Sequence, residues 1–157
     1  MDFHRLNRII QQNGKSKKVY FVDYDVTMYA CRGYDIGAYF DSYLQEKLLF
    51  GDDPFPTDEQ IIPLLEVYRQ ECARIKGEEY LIEKRNSIES LLVEVKVWVL
   101  YLYLVSIYFA LTVYCQDPKD PKKISFAERA FTRQKAGNIV KKRFQDENIL
   151  PDVGIEF

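Results

Sequence analysis

Apolar positions along the chain fall first into two short β-rich runs and then into helical stripes. Leu6, Ile9 and Ile10 precede a polar connection over 11–18 that contains Asn13-Gly14 and three lysines, and Val19-Tyr20-Phe21-Val22 follows it. Asn-Gly is a strong turn signal, so a strand, a turn and a strand are expected over 6–23. The connection looks longer than a two-residue hairpin loop, which places its lysines in water. From Asp35 the spacing changes: Ile36, Tyr39, Phe40, Tyr43 and Leu44 share one face of a helix. Gly51-Asp52-Asp53-Pro54-Phe55-Pro56 interrupts it. Thr57 with Gln60 three residues later is a capping-box signature. Ile61, Leu64, Leu65, Tyr68 and Cys72 then form a stripe. Pro63 inside it predicts a kink or a late start, and Gly77 a stop.

A further helical region runs from about Glu78 to Cys115, with a break expected near Asn86-Ser87. Within it, 97–115 is nineteen residues without a charge. That length can span a bilayer. Four tyrosines are spread along the segment rather than gathered at its ends, and it continues an amphipathic pattern, so a buried core helix is favoured over a membrane span. Asp117-Pro118-Lys119-Asp120-Pro121 reads as a loop. Ser125 with Glu128 is a second capping-box signature, opening a last helix toward Phe144; 145–157 is a tail without a clear period. A small β-ribbon followed by helices is an α+β chain, mainly α-helical.

Composition narrows the picture. A length of 157 residues suits one domain, and 47% apolar residues suffice for a core. A net charge of −2 excludes a strongly basic nucleic-acid binder, and Lys141-Lys142-Arg143 reads as a solvated helix face. Three widely spaced cysteines, Cys31, Cys72 and Cys115, fit a reduced, cytoplasmic chain better than a disulfide framework or a zinc site. The first residues carry no apolar signal-peptide run.

The candidate chemistry lies near the N-terminus. Asp2 and Asn7 form D-x-x-x-x-N just before the first strand, and Asp23 closes the second. Phosphotransferases of the protein-kinase type use this layout. The first Asp accepts the proton of the attacking hydroxyl. The Asn amide oxygen and the second Asp hold Mg²⁺, a hard cation that prefers oxygen ligands and neutralises charge on the transferring phosphoryl group.

The segment that follows, residues 22–40, resembles the choline/ethanolamine kinase family. Asp23, Tyr29, Arg32, Gly33, Asp35, Ile36, Gly37 and Phe40 fall in register with the family pattern without a gap. Pro56-Thr57 with Gln60, Glu94-Val95 before the long apolar helix, and Phe126-Ala127 in the last helix also look like family segments. The resemblance implies that residues 1–144 are the C-terminal lobe of a protein-kinase-like fold, with 145–157 a tail. It implies Asp2 as catalytic base, Asn7 and Asp23 as Mg²⁺ ligands, and ATP as co-substrate. Arg32 and Asp35 would brace the segment after the metal aspartate. Asp41 and Phe109 would face an amino-alcohol, choline or ethanolamine, on the way to phosphatidylcholine or phosphatidylethanolamine. The long apolar helix would lie buried behind that pocket.

The sequence also departs from the family. It contains no G-x-G-x-x-G loop, and no strand lysine of the nucleotide-binding lobe can be placed. Val26 stands where the family has a tyrosine, and Ser106 and Phe109 where it has two tryptophans. The substrate carboxylate of the family aligns with Ser42, beside Asp41. The expectation is therefore a kinase-like lobe that does not turn over alone. The alternatives are a non-catalytic partner of a full-length kinase, as a homo- or hetero-dimer, and a small single-pass membrane protein.

Overall fold

The computed structural model describes residues 7–25, 29–43 and 55–151. Asp2 lies outside the described residues, as do Val26 and Leu44. The chain order is β1 (Arg8–Asn13), β2 (Ser16–Phe21), α1 (Arg32–Asp41), α2 (Asp58–Lys76), α3 (Glu79–Ile82), α4 (Ile88–Gln116) and α5 (Pro121–Asp146), with a 3-10 turn at Lys84–Asn86 before α4. The α+β class holds: a two-stranded antiparallel ribbon accompanies a mainly helical body.

The ribbon is tighter than the sequence suggests. Asn13 pairs with Ser16, so only Gly14 and Lys15 lie in the turn, and Gln11, Gln12, Lys17 and Lys18 are strand residues. Gly14 has φ 59°, which glycine reaches without a Cβ clash. The polar run was compatible with strand because both ribbon faces stand in water there.

Helix α1 begins at Arg32, three residues ahead of the first clear apolar spacing. Its Gly33 and Gly37 lie against α4. A Cβ on Gly33 would sit 2.5 Å from Trp98 Cδ1, and one on Gly37 would sit 3.4 Å from Val99 Cγ2. Two glycines four apart occupy one helix face, so α1 presses its backbone onto α4. Ile36 and Phe40, on the adjoining stripe, are buried.

Helix α2 follows its sequence signals closely. Thr57 and Gln60 form the reciprocal capping box, and Gly77 ends the helix at φ 103°. Pro63 is accommodated inside it. Ile61 and Leu65 are fully buried, while Leu64 is at the surface. The cap of α5 is different from the one expected. Asp120 is the N-cap and accepts from Lys122 N at 2.9 Å, with Pro121 in the first turn. Ser125 is already inside the helix and donates to Lys122 O. Asp120-Pro121 is the stronger start, because proline has no N–H to leave unpaired there.

Helices α4 and α5 form an antiparallel hairpin around Asp117-Pro118-Lys119. Gly137 admits the Tyr103 ring, and Ala110 and Ala130 are buried near the hairpin's end. The core gathers Phe40, Ile61, Leu65, Leu91, Val95, Val99, Tyr103, Val140 and Phe144 from α1, α2, α4 and α5. Each such side chain contributes about 1.5–3 kcal/mol on burial. Lys96 on α4 is also buried, paired with Asp58 of α2 and with Glu147 after α5. Burial pushes the Glu147 carboxyl up, but Lys96 and Arg143 outweigh it and leave its pKa below the usual range.

The expectation of a buried α4 needs correction. The helix is long and apolar enough to cross a bilayer, yet only 28% of its most apolar window is buried. Val97, Tyr101, Leu104, Val105, Tyr108 and Leu111 line an open face. Over 97–115 the helix is apolar all round, and its neighbours leave one side of it open.

Candidate functional site

The two residues expected as metal ligands, Asn7 and Asp23, both lie at the ribbon's open end. Val22 N donates to Asn7 O at 3.0 Å, continuing the ladder one pair beyond Arg8 and Phe21. Asn7 is buried, and Asp23, next along, is exposed. Asp23 has φ 66°, in the left-handed region that an Asp tolerates better than most residues. That turn breaks the strand's alternation at the carboxylate. Strained backbone of this kind is over-represented at functional sites.

An amide oxygen and a carboxylate at one ribbon end suit a hard cation. Mg²⁺ takes one or two protein ligands and completes its shell with water and phosphate oxygens. Asn7 and Asp23 are the residues that would hold it, and the ion would supply charge neutralisation for a phosphoryl group. Among the described residues, no three His, Cys, Asp or Glu side chains could hold a metal by themselves. The expected base, Asp2, lies outside the described residues.

The ribbon is fastened to the helical body by Arg8. Its guanidinium lies 5.1 Å from the Tyr39 ring centroid and donates to Tyr39 Oη at 3.4 Å. Arg8 belongs to the terminal strand pair, with Phe21, and Tyr39 lies on α1, so this contact sets the ribbon end relative to α1.

Arg32, at the start of α1, reaches several other elements. Its Nε donates to Glu94 at 2.8 Å and its Nη2 to Arg85 O at 2.7 Å. Its Nη1 donates to Tyr80 Oη at 2.9 Å and Asn86 Oδ1 at 2.6 Å. One side chain thus ties α1 to α3, the 3-10 turn and α4. Gly33 N donates to the other oxygen of Glu94. Burial pulls the Arg32 pKa down, but Glu94 and Tyr80 outweigh it, so the group stays charged. A cavity of about 360 Å³ opens beside this junction, bounded by Cys31, Lys76 and Tyr80 among others. Asp35 lies in the first turn of α1.

Asp41 and Phe109, the residues expected at the substrate, have different neighbours. Asp41, at the end of α1, is paired with Arg133 of α5, and Arg133 is 2% exposed. The guanidinium lies 3.7 Å from the centroid of Tyr103. Burial raises the Asp41 pKa more than Arg133 lowers it. Burial also lifts the Tyr103 phenol to about 12, with Arg133 pulling it back, so the ring stays neutral. Phe109 is half exposed and makes an edge contact with Phe126 at 6.4 Å. It follows Tyr103 by six residues, which is about 240° around the helix and so a different face. Arg133 was missed at the sequence level. The available signal was a lone arginine between Ala130 and Ala136 on an otherwise small-residue face of α5.

No protein-family model, curated protein or solved structure matches this chain.

Proposed function

We propose that this chain is the metal- and substrate-holding lobe of a choline/ethanolamine kinase-like phosphotransferase, and that the 157 residues alone do not turn over. The observation that carries the reading is the ribbon end. Asn7 is paired through its backbone with Val22 there, and Asp23 follows in a left-handed turn. The register of residues 22–40 with the kinase family supports it. Inactivity follows from the parts the sequence lacks: with no glycine-rich loop, the phosphates have no backbone cradle.

The test is Mg²⁺-dependent nucleotide binding by the full chain, followed by calorimetry and by Mn²⁺ broadening of the Asn7 and Asp23 amide signals. Binding that Asp23→Ala abolishes supports the lobe. An absence of any Mg²⁺-nucleotide effect at the ribbon end overturns it. Choline phosphorylation is expected to stay at background; a Mg²⁺-dependent rate abolished by Asp23→Ala would overturn the inactive reading. In any longer natural form, Asp2→Ala should lower turnover by about 10²–10⁴-fold.

The open face of α4 favours a second reading, a non-catalytic lobe that pairs with a full-length kinase. Val97, Tyr101, Leu104 and Tyr108 give it an apolar surface to offer. Co-purification with an intact kinase and loss of pairing in Tyr101→Lys would support it. Recovery only in detergent would point to a membrane-bound chain instead.

A further inference from the structure

We propose that the open face of α4 is a seam for the α4 of a second copy of this chain, and that the two copies form a two-fold symmetric dimer. Val97, Tyr101, Leu104, Tyr108, Leu111 and Cys115 are all exposed. Their spacing alternates between four and three residues throughout. That alternation is how one helix sets its side chains between those of another. The segment is apolar on every side, so its sequence alone marks no stripe. Burial marks it. Val99 lies against Gly37 of α1, Tyr103 against Gly137 of α5, and Ala110 clusters with Ala130 of α5. The six exposed residues run down the side left open, within about 80° of arc at 3.6 residues per turn.

The chemistry of the stripe selects its occupant. No charged residue lies between Lys96 and Asp117, so the stripe and its flanks give a charged partner nothing to pair with. Tyr101 and Tyr108 stand in the middle of the stripe, and Tyr108 is 73% exposed. A lipid-facing helix gathers tyrosine at its two ends. Protein interfaces instead enrich it at their cores, where the ring packs and the hydroxyl finds an acceptor. A two-fold axis sets the same uncharged stripe against itself, so each copy supplies what the other lacks. The area also suffices. The stripe and its immediate flanks leave roughly 700 Å² per copy in water, and stable interfaces take about 600–1,000 Å² from each partner. The largest apolar patch on a typical monomer is about 300–600 Å².

This goes beyond the phosphotransferase reading and does not rest on it. Mg²⁺-nucleotide binding reads Asn7 and Asp23, whereas self-association reads α4, and neither result moves the other. The dimer does compete with the second reading, in which a full-length kinase covers the same face.

The experiment is sedimentation equilibrium of the full chain across the micromolar range in detergent-free buffer. Wild type is compared with Leu104→Glu/Tyr108→Glu on the stripe and with Ile75→Glu, an exposed apolar position on α2. Circular dichroism follows the fold of each. Wild type and Ile75→Glu are expected to sediment as dimers. The double variant is expected to keep its helix content and to raise the dissociation constant by about 30-fold or more, the loss seen when a central contact is removed. Leu104→Ser, which adds no charge, should weaken the dimer in the same direction and serves if the glutamates unfold the chain. A wild type that is monomeric throughout overturns the proposal, even where it pairs with an intact kinase. So does a folded stripe variant that dimerises as tightly as wild type, or an Ile75→Glu protein that loses as much. A wild type that enters solution only in detergent also overturns it, because lipid then covers the face.

Discussion

The two ends of α1 are both fastened by an arginine, in opposite ways. At the N-terminal end, Arg32 is part-exposed and donates to one carboxylate, one phenol, one amide and one backbone carbonyl. At the C-terminal end, Arg133 is buried and has an aromatic face and one carboxylate. The first spreads its charge over acceptors from three other elements. The second keeps its charge in a dry place, balanced by a single residue. Burying charge is costly unless it is paired and hydrogen-bonded, so the second end is the more fragile.

The largest effect should come from breaking that fragile end. Arg133→Ala leaves Asp41 buried and uncompensated, and should lower unfolding free energy by about 4 kcal/mol in a denaturant titration. A loss under about 1 kcal/mol would mean that Asp41 finds water or another partner at no cost. The double change Asp41→Leu/Arg133→Met should recover most of the loss, because apolar isosteres often replace a buried pair without penalty.

The other end should resist that repair. Arg32→Ala should cost about 3 kcal/mol, since several hydrogen bonds to a charged group disappear together. Adding Glu94→Leu to Arg32→Met should not restore it. The Asn86 oxygen and the Arg85 carbonyl would still lack their donor. A full recovery would show that Arg32 and Glu94 act as a simple pair and would erase the difference between the two ends.

Gly33→Ala tests how closely the Arg32 end is packed. The added methyl meets Trp98 and Glu94, and overpacking of this kind costs about 1–3 kcal/mol. A changed Trp98 fluorescence alongside the stability loss identifies the cause. Thr57→Ala supplies a scale for both ends, as loss of a surface cap on α2 should cost about 1 kcal/mol.

The smallest effect is a pH dependence at the Arg133 end. Burial raises the Asp41 pKa above its unfolded value. Stability from this group is therefore full below the unfolded value, about 3.9, and is lost as pH rises through the folded one. The melting temperature of wild type relative to Asp41→Asn should fall over that window. A relative rise would mean that the Arg133 attraction exceeds the burial penalty.

Local signals were read well wherever the backbone decides the outcome within a few residues. The Thr57–Gln60 box, the Gly77 stop, the break at Asn86-Ser87 and the strand pair around Asn13-Gly14 all appear where spacing places them. Ser125–Glu128 failed because Asp120-Pro121 offers a better start one turn earlier, and two caps cannot open the same helix. Of the candidate site, the meeting of Asn7 with the strand end before Asp23 was legible, since a hairpin must join its own ends. The separation of Asp41 from Phe109 was not, because it depends on which face of α4 turns toward α1.

The sequence by itself determined the helices, the ribbon and the pairing of Asn7 with Val22, because all three follow from periodicity, turn chemistry and short chain connections. Only the tertiary structure decided that Arg133 lies on Tyr103 against Asp41, 92 residues away in sequence. It also decided that half of the uncharged run 97–115 stays open. A helix apolar on every side carries no instruction about which side is covered; that choice was made by Gly33 and Gly37 on α1 and Gly137 on α5, where absent side chains let neighbours approach.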